Sequence, residues 1–408
     1  MKTQSTLTEA PQTGTLVWLK CAGYFSCTAH TGEHWFGIQD GVIKAIRNSP
    51  PASGEPILAG VADSFIVPLL ADTHVHYYMQ PWPRLSEKRV APGSKPKAEE
   101  IEDAIVRVQN ALRQGLGLLR DMGDPHGINL TVREHFQNSA LPAPELIVPG
   151  TGLYRPKKYG RFLGVMKESV ADIKATIDEL VLEKRVNYIK LVTTGIVDFA
   201  ERRVKQLPQF AQAELNEVVQ HAHSHGMKVA AHCSGADGLD LAIEAGIDFI
   251  EHAYFVTEAQ VDRMSQKRLV WTPTLVPVFA QKHPECGWPA ETIASIDLIL
   301  AEHNRQIARA RKAGVNLLAG TDAGCPGVDM GGGIRTELAC LGRSGITAAA
   351  LLALATVTAA ELCGARQYTG TLKPGDAASF GVYQQAPWVN IENLNSLSSV
   401  YHGGNPIY

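Results

Sequence analysis

Apolar residues change their rhythm near position 66 of the chain. Before it, short runs that alternate apolar with polar residues are broken by turns. Residues 16–21, 33–38 and 42–46 read as strands, and Asp40-Gly41 marks a hairpin turn between the last two. These runs carry too little apolar surface to fold alone, so they need a partner from elsewhere in the chain. After position 66 a short apolar run is followed by a segment of amphipathic helical spacing, and the pair recurs. Runs of strand length fall at 66–73, 117–121, 145–150, 187–193, 228–233, 248–252, 269–274 and 315–321. Helical spacing covers 98–112, 170–184, 213–225, 238–245 and 293–313, with two further helices at 334–343 and 347–363. Eight strands alternating with helices over about three hundred residues predict an α/β fold, a parallel (β/α)8 TIM barrel. A doubly wound open sheet has the same rhythm, but no Gly-x-Gly-x-x-Gly follows the first strand, which weakens its dinucleotide-binding form. Past the helices the chain returns to turns and short strands. The expected organisation is a small β-sandwich domain from residues 1–65 and 367–408, with the barrel at 66–366 between them.

Composition narrows the function classes. At 408 residues the chain exceeds a typical single domain, as a barrel with an appendage requires. A net charge of −3 gives no general attraction to nucleic acid or an anionic membrane, so neither is an expected partner. No apolar run is long enough to span a bilayer. The first fifteen residues are polar, without the apolar core of a secretory signal, which places the expected location in the cytoplasm. The seven cysteines are scattered and odd in number, with no Cys-x-x-Cys, as suits buried thiols in a reducing compartment. A short Lys/Pro-rich stretch at 91–98 interrupts an otherwise ordinary sequence.

The chemistry gathers at the strand ends. Ala71-Asp72-Thr73-His74-Val75-His76 closes the first run. A strand alternates its side chains, so His74 and His76 face the same side, and imidazole is a common ligand of divalent ions. In a barrel the catalytic groups come from the C-terminal ends of the strands. Lys190 lies in the apolar run Tyr188–Val192, His232 closes 228–232, His252 closes 247–252, and Asp322 follows Gly320-Thr321. Singly, each has an ordinary reading: a hydrogen-bonded histidine, a capping aspartate, a snorkelling lysine. Their joint occurrence in register with the strand ends points to a metal site. His221, His223 and His225 lie on the helix at 213–225, where alternate spacing does not share a face, and read as solvated surface. His30, His34, His126, His135, His283, His303 and His402 are expected non-ligands.

These segments, with Leu119–Gly123, Ile189–Gly195, Gly320–Gly324, Gly375–Ala378 and His402–Gly404, resemble the amidohydrolase superfamily, in the branch of imidazolonepropionase-like proteins and Xaa-Pro dipeptidases. The resemblance implies a binuclear site, usually zinc. His74, His76 and Asp322 would hold one ion and His232 and His252 the other. Lys190, carboxylated by CO2, would bridge them, since a carbamate offers two oxygens where an ammonium offers none. A hydroxide between the ions would be the nucleophile, and Asp322 would take its proton and return one to the leaving group. Two departures leave the ligands intact: Pro68-Leu69-Leu70-Ala71-Asp72 replaces the usual Pro-Gly-Leu-Ile-Asp, and Ala378-Ser379-Phe380 the usual Ala-Asp-Leu. Mononuclear deaminases of the superfamily lack the lysine and carry Glu three residues after the fifth-strand histidine, where this chain has Gly235.

The expected reaction is hydrolysis of an amide C–N bond in a small carboxylate-bearing molecule: a dipeptide, an N-acyl amino acid or a cyclic amide. Tyr78, Arg120, Tyr154 and Tyr254 are the candidate substrate contacts, being aromatic or basic and close to strand ends. The same metal core would also serve a lactone, carboxylic ester or phosphotriester. A catalytically silent barrel used for binding is a reading from another class, and the intact ligand set argues against it. A homo-oligomer is expected by family analogy alone.

Overall fold

The computed structural model describes residues 6–7, 14–58, 61–80 and 95–407. Most of the polar first fifteen residues and positions 91–94 of the Lys/Pro-rich stretch lie outside the described residues. Among the described residues, no helix is long and apolar enough to cross a membrane.

The run at 66–73 is not one strand. It divides into Phe65–Pro68 and Leu70–Val75. Pro68 lacks the N–H that would continue the ladder, so the chain can leave one sheet there and enter another. Phe65–Pro68 pairs antiparallel with Phe380–Tyr383 and parallel with part of Val17–Ser26. Strands from the two ends of the chain thus join in one nine-stranded sheet. Its apolar cluster draws Leu19, Phe36 and Ile43 from one end and Phe380 and Val382 from the other. The expected hairpin turn is present between Thr28–Gln39 and Val42–Arg47. Asp40 (φ 52°) and Gly41 (φ 74°) both adopt the left-handed backbone of a type I′ turn.

From Leu70 the strands are parallel. Leu70–Val75, Leu116–Asp121 and Glu145–Ile147 pair in that order. Gly152–Tyr154, Ile189–Val192, Val229–Cys233, Phe249–His252, Val270–Thr272 and Asn316–Leu317 form a second parallel series. The third expected run is broken after Ile147 and resumes at Gly152, with Gly150 turned to φ 73° between. The last run, expected at 315–321, is regular only at its start. Beyond it the backbone still reaches the first strand: Thr73 N–H donates to Ala319 O (3.1 Å) and Asp322 N–H to His74 O (2.7 Å). Asp72 reinforces this seam, accepting from the Thr321 amide (2.9 Å) and hydroxyl (2.6 Å). Most strand residues here are buried, which is why these runs read as almost continuously apolar.

Helices follow the strands as spaced. Lys97–Arg113, Val170–Leu182, Gln212–Ser224, Ala236–Ala245 and Ala290–Ala313 match the periodic segments, and Ser169 with Asp172 closes a capping box at the second of these. The helix expected at 347–363 is two, Ala348–Leu354 and Val357–Cys363. Thr356, between them, leaves the helical region (φ −133°, ψ −103°) and its hydroxyl donates to Leu352 O at 2.6 Å. Periodicity could not show this break, because the apolar spacing continues across it.

One close approach fixes the bed beneath Lys190. Gly152 pairs with Lys190 on one side and with Gly164 on the other. A Cβ on Gly164 would lie 1.7 Å from Gly152 O, a backbone atom that cannot swing aside. Gly164→Ala is therefore expected to lower unfolding stability by about 3 kcal/mol, as overpacking against a fixed neighbour does. Denaturant unfolding would measure it, and an unchanged midpoint would contradict the packing described.

Candidate active site

The strand ends bring His74, His252 and Asp322 together, with one potential ligand atom from each within 4.8 Å of the others. Asp322 Oδ1 lies 3.4 Å from His74 Nε2 and 3.2 Å from His76 Nε2. The His232 ring centroid is 4.6 Å from that of His252, which in turn is 4.8 Å from that of His74. Lys190 sits one strand away from His232, its Val192 neighbour in register with that histidine. Its ammonium nitrogen is buried and 3.5 Å from Met122 Sδ, and no carboxylate lies within ion-pair distance of it among the described residues.

The hydrogen bonds on the far ring nitrogens decide which nitrogens face the cluster. His74 Nδ1 donates to Glu251 Oε2 at 2.8 Å, which turns Nε2 toward Asp322. His252 Nδ1 is bonded to Thr274 Oγ1 at 2.7 Å. His232 is reversed: its Nε2 donates to Gly195 O at 3.1 Å, leaving the lone pair on Nδ1. The buried Nδ1 of His76 has no hydrogen-bond partner.

Burial dominates the electrostatics. It pushes His232 down to about 4, aided by the Lys190 charge, and holds His252 well below the usual imidazole range. Both are therefore neutral donors at neutral pH. Burial also brings the Lys190 ammonium down to about 8. For Asp322 burial acts the other way, but the His74 charge and the hydrogen bonds from His74 and His76 outweigh it and hold the carboxyl well below the usual range. Burial opposes a charge on His74, but Asp322 and Glu251 outweigh it and raise His74 above the usual imidazole range. These imidazoles, with one carboxylate and one buried amine, fit divalent metal ions: their nitrogens converge on Asp322, and an ion there would replace the charge on His74. His252 (φ 74°) and Asp322 (φ 57°) hold left-handed backbones, a strain that costs about 1–3 kcal/mol per residue and is typical of functional positions.

A model of the amidohydrolase family matches residues 65–407, nearly all of the chain beyond its first strands. The chain belongs to the amidohydrolase family. An uncharacterized protein of Mycobacterium tuberculosis is 30% identical to this amidohydrolase over 307 residues, covering 74% of this chain and 75% of the relative. An ochratoxinase of Aspergillus niger is 25% identical over 310 residues, or 75% of this chain and 61% of that protein. Among solved structures, a Xaa-Pro dipeptidase with bound methionine superposes with a TM-score of 0.81 at 20% identity, covering 96% of this chain and 99% of the other. The fold of this amidohydrolase is accordingly a TIM-barrel-like α/β arrangement, and the family supports an enzyme that hydrolyses amide bonds.

The polar ends of three proposed substrate contacts are committed inside the amidohydrolase. Arg120 is 1% exposed, its guanidinium 2.8 Å from Glu251 Oε1 and held between the rings of Tyr188 and Phe249, each 4.3 Å away. Although next to the strand end, it is turned into the packed interior and held there by Glu251, away from a substrate carboxylate. The Tyr254 hydroxyl donates to Thr274 O at 2.9 Å and its ring stacks on His303. Tyr78 donates to Phe162 O. Tyr154 is buried with Leu163 and Val192. Tyr159, with its ring 5.2 Å from that of His232, is an aromatic residue beside the cluster. The helix histidines lie at the surface, as expected, but their neighbours differ. His221 and His225 are four apart, not two, and both reach Asp178, while His223 bonds Asp248.

Glu251 was not singled out by sequence, although the signal that marks Lys190, a charge inside an apolar strand, marks it equally. It is fully buried, and although burial opposes its charge, Arg120 and the bond from His74 hold its carboxyl far below the usual range. Glu251→Gln would leave the Arg120 charge unmatched, with an expected loss of about 3–5 kcal/mol. Chemical denaturation of the metal-free chain would measure this, and a loss below ~1 kcal/mol would refute the pairing.

His303 supplies a pH test. Burial lowers it from 6.5 to about 4. The unfolded chain binds the proton that the folded chain refuses, so this contribution is present above pH 6.5 and is lost as pH falls toward 4. The maximum is about 3 kcal/mol by the conversion of a pKa shift into free energy. His303→Phe, which keeps an aromatic ring against Tyr254, is expected to flatten the pH dependence of unfolding in that window by roughly one proton's slope.

Proposed function

We propose that the protein is a metal-dependent hydrolase cleaving the amide C–N bond of a small carboxylate-bearing molecule: a dipeptide, an N-acyl amino acid or a cyclic amide. The observation that carries this is the convergence of buried imidazoles on Asp322 beside an amine without a counter-ion. His74, His76 and Asp322 would hold one divalent ion and His232 and His252 the second, with Lys190 serving both as its carbamate. Zinc is the expected metal. When bound, such ions polarise a carbonyl and lower the pKa of water.

The chain's own residues supply the rest. A lysine reacts with CO2 only as the neutral amine, and burial makes that form accessible near neutral pH for Lys190. Asp322 would hold at its carboxylate the proton released by the attacking water and pass it to the leaving nitrogen. The His74 tautomer is kept by Glu251, and Glu251 in turn by Arg120. A cavity of about 470 Å³ bordered by Thr194, Ser234 and Phe255 also carries Arg202 and Arg203, a favourable setting for a substrate carboxylate. The dipeptidase among the structural neighbours supports the dipeptide class. The same reading takes the two parallel series as one (β/α)8 barrel at 66–366, beside a small β domain of 1–65 and 367–408, working in the cytoplasm.

Elemental analysis of protein purified with bicarbonate tests the site. The wild type is expected to hold about two ions per chain, with clear loss in Lys190→Ala. Asp322→Asn should reduce kcat for an amide substrate by at least ~100-fold, the scale of lost proton transfer. About one ion, unchanged by removing Lys190, would overturn the binuclear reading, and turnover of esters alone would overturn the amide assignment.

A further inference from the structure

Outside the strand-end cluster, one group of metal-ligating side chains is assembled across two helices. His221 lies in the last turn of Gln212–Ser224 and His225 caps it. Residues four apart share a helix face, and the two ring centroids are 5.0 Å apart. Asp178 comes from the neighbouring helix Val170–Leu182. Its Oδ1 is 2.7 Å from His221 Nε2 and 2.8 Å from His225 Nε2, so a single carboxylate oxygen aims both imidazoles at one point.

We propose that Asp178, His221 and His225 form a second divalent metal site, one that takes a transition ion such as Zn2+, Ni2+ or Cu2+ on the outer surface of the molecule. Two imidazoles spaced i, i+4 on a helix are a ready chelate, and the carboxylate supplies a third ligand. The three ligand atoms lie within 4.8 Å of one another, and the space an ion needs is opened by small side-chain rotations, with ligand bonds of about 2.0–2.2 Å replacing the hydrogen bonds. Two nitrogens and one oxygen favour these metals over Mg2+ or Ca2+, which prefer oxygen shells. The side chains are 20%, 25% and 44% exposed for His221, His225 and Asp178, so an ion enters from solvent and water completes its shell. One turn earlier on the same seam, Lys174 is matched by Glu217 at 2.9 Å. Asp178 is held below the usual carboxylate range by the same two histidines, so it is ionised and ready to ligate.

The site joins the helices on either side of the strand Ile189–Val192, which carries Lys190. Its expected effect is therefore on stability, as a clasp between those helices, and it does not depend on the proposed hydrolysis. Binding by the folded state alone raises Tm with free metal concentration.

Calorimetric titration with Ni2+ of protein dialysed free of exchangeable ions, paired with thermal unfolding, tests this. The wild type is expected to bind one equivalent more than His225→Ala and to show a Ni2+-dependent rise in Tm that the variant lacks. His221→Gln should behave like His225→Ala, and His223→Ala, whose imidazole bonds Asp248, like the wild type. All three changes are at partly exposed positions, and circular dichroism in chelator confirms folding before titration. The Cu2+ electron paramagnetic resonance signal present in the wild type and absent from His225→Ala should show two imidazole nitrogens. Equal stoichiometry in wild type and both His221 and His225 variants, or a one-nitrogen Cu2+ signal, would overturn the proposal.

Discussion

A carboxylate sealed away from water must be matched where it lies, and Glu251 is matched on both oxygens. Oε1 takes the Arg120 guanidinium and Oε2 takes His74 Nδ1. The three residues come from three strands, so one charge network ties Leu70–Val75, Leu116–Asp121 and Phe249–His252 together through the interior. Breaking it strands a charge with no solvent to absorb it. The Tyr188 and Phe249 rings supply contact to the two faces of the Arg120 guanidinium. The geometry at His74 is therefore a by-product of electrostatic necessity one layer below it.

Above that layer, desolvation sorts the ionisable groups by kind. His232 and His252 are made neutral, Asp322 stays ionised beside a raised His74, and Lys190 is brought toward its free-base form. One dry environment thereby holds neutral imidazoles, an ionised carboxylate and an amine near its free-base form side by side. The left-handed backbones at His252 and Asp322 show that the strand ends accept conformational cost to present these groups.

Much of this was legible in the sequence, for a physical reason. Parallel strands covered on both faces must be apolar throughout, so a histidine or aspartate at their ends stands out, as His74, His232, His252 and Asp322 do. The rhythm of runs and helices was equally visible. What stayed hidden was direction and partnership. Arg120 reads as a cation available for substrate, and only a folded interior shows that Glu251 has claimed it. The split at Pro68 and the break at Thr356 were hidden because apolar spacing runs straight across both. His221 and His225 were passed over by attention to alternate positions when the relevant separation was four.

The nine-stranded sheet carries a consequence for how the protein is made. Phe65–Pro68 leads directly into the strand bearing His74, and one of its edges is closed only by Phe380–Tyr383. A ribosome releases the chain from the amino end, so that edge stays unzipped until more than three hundred later residues have been synthesised. Throughout elongation the nascent protein presents an open strand beside its most important segment, a template for mispairing with neighbouring chains. A truncated translation product would never acquire its closing strand.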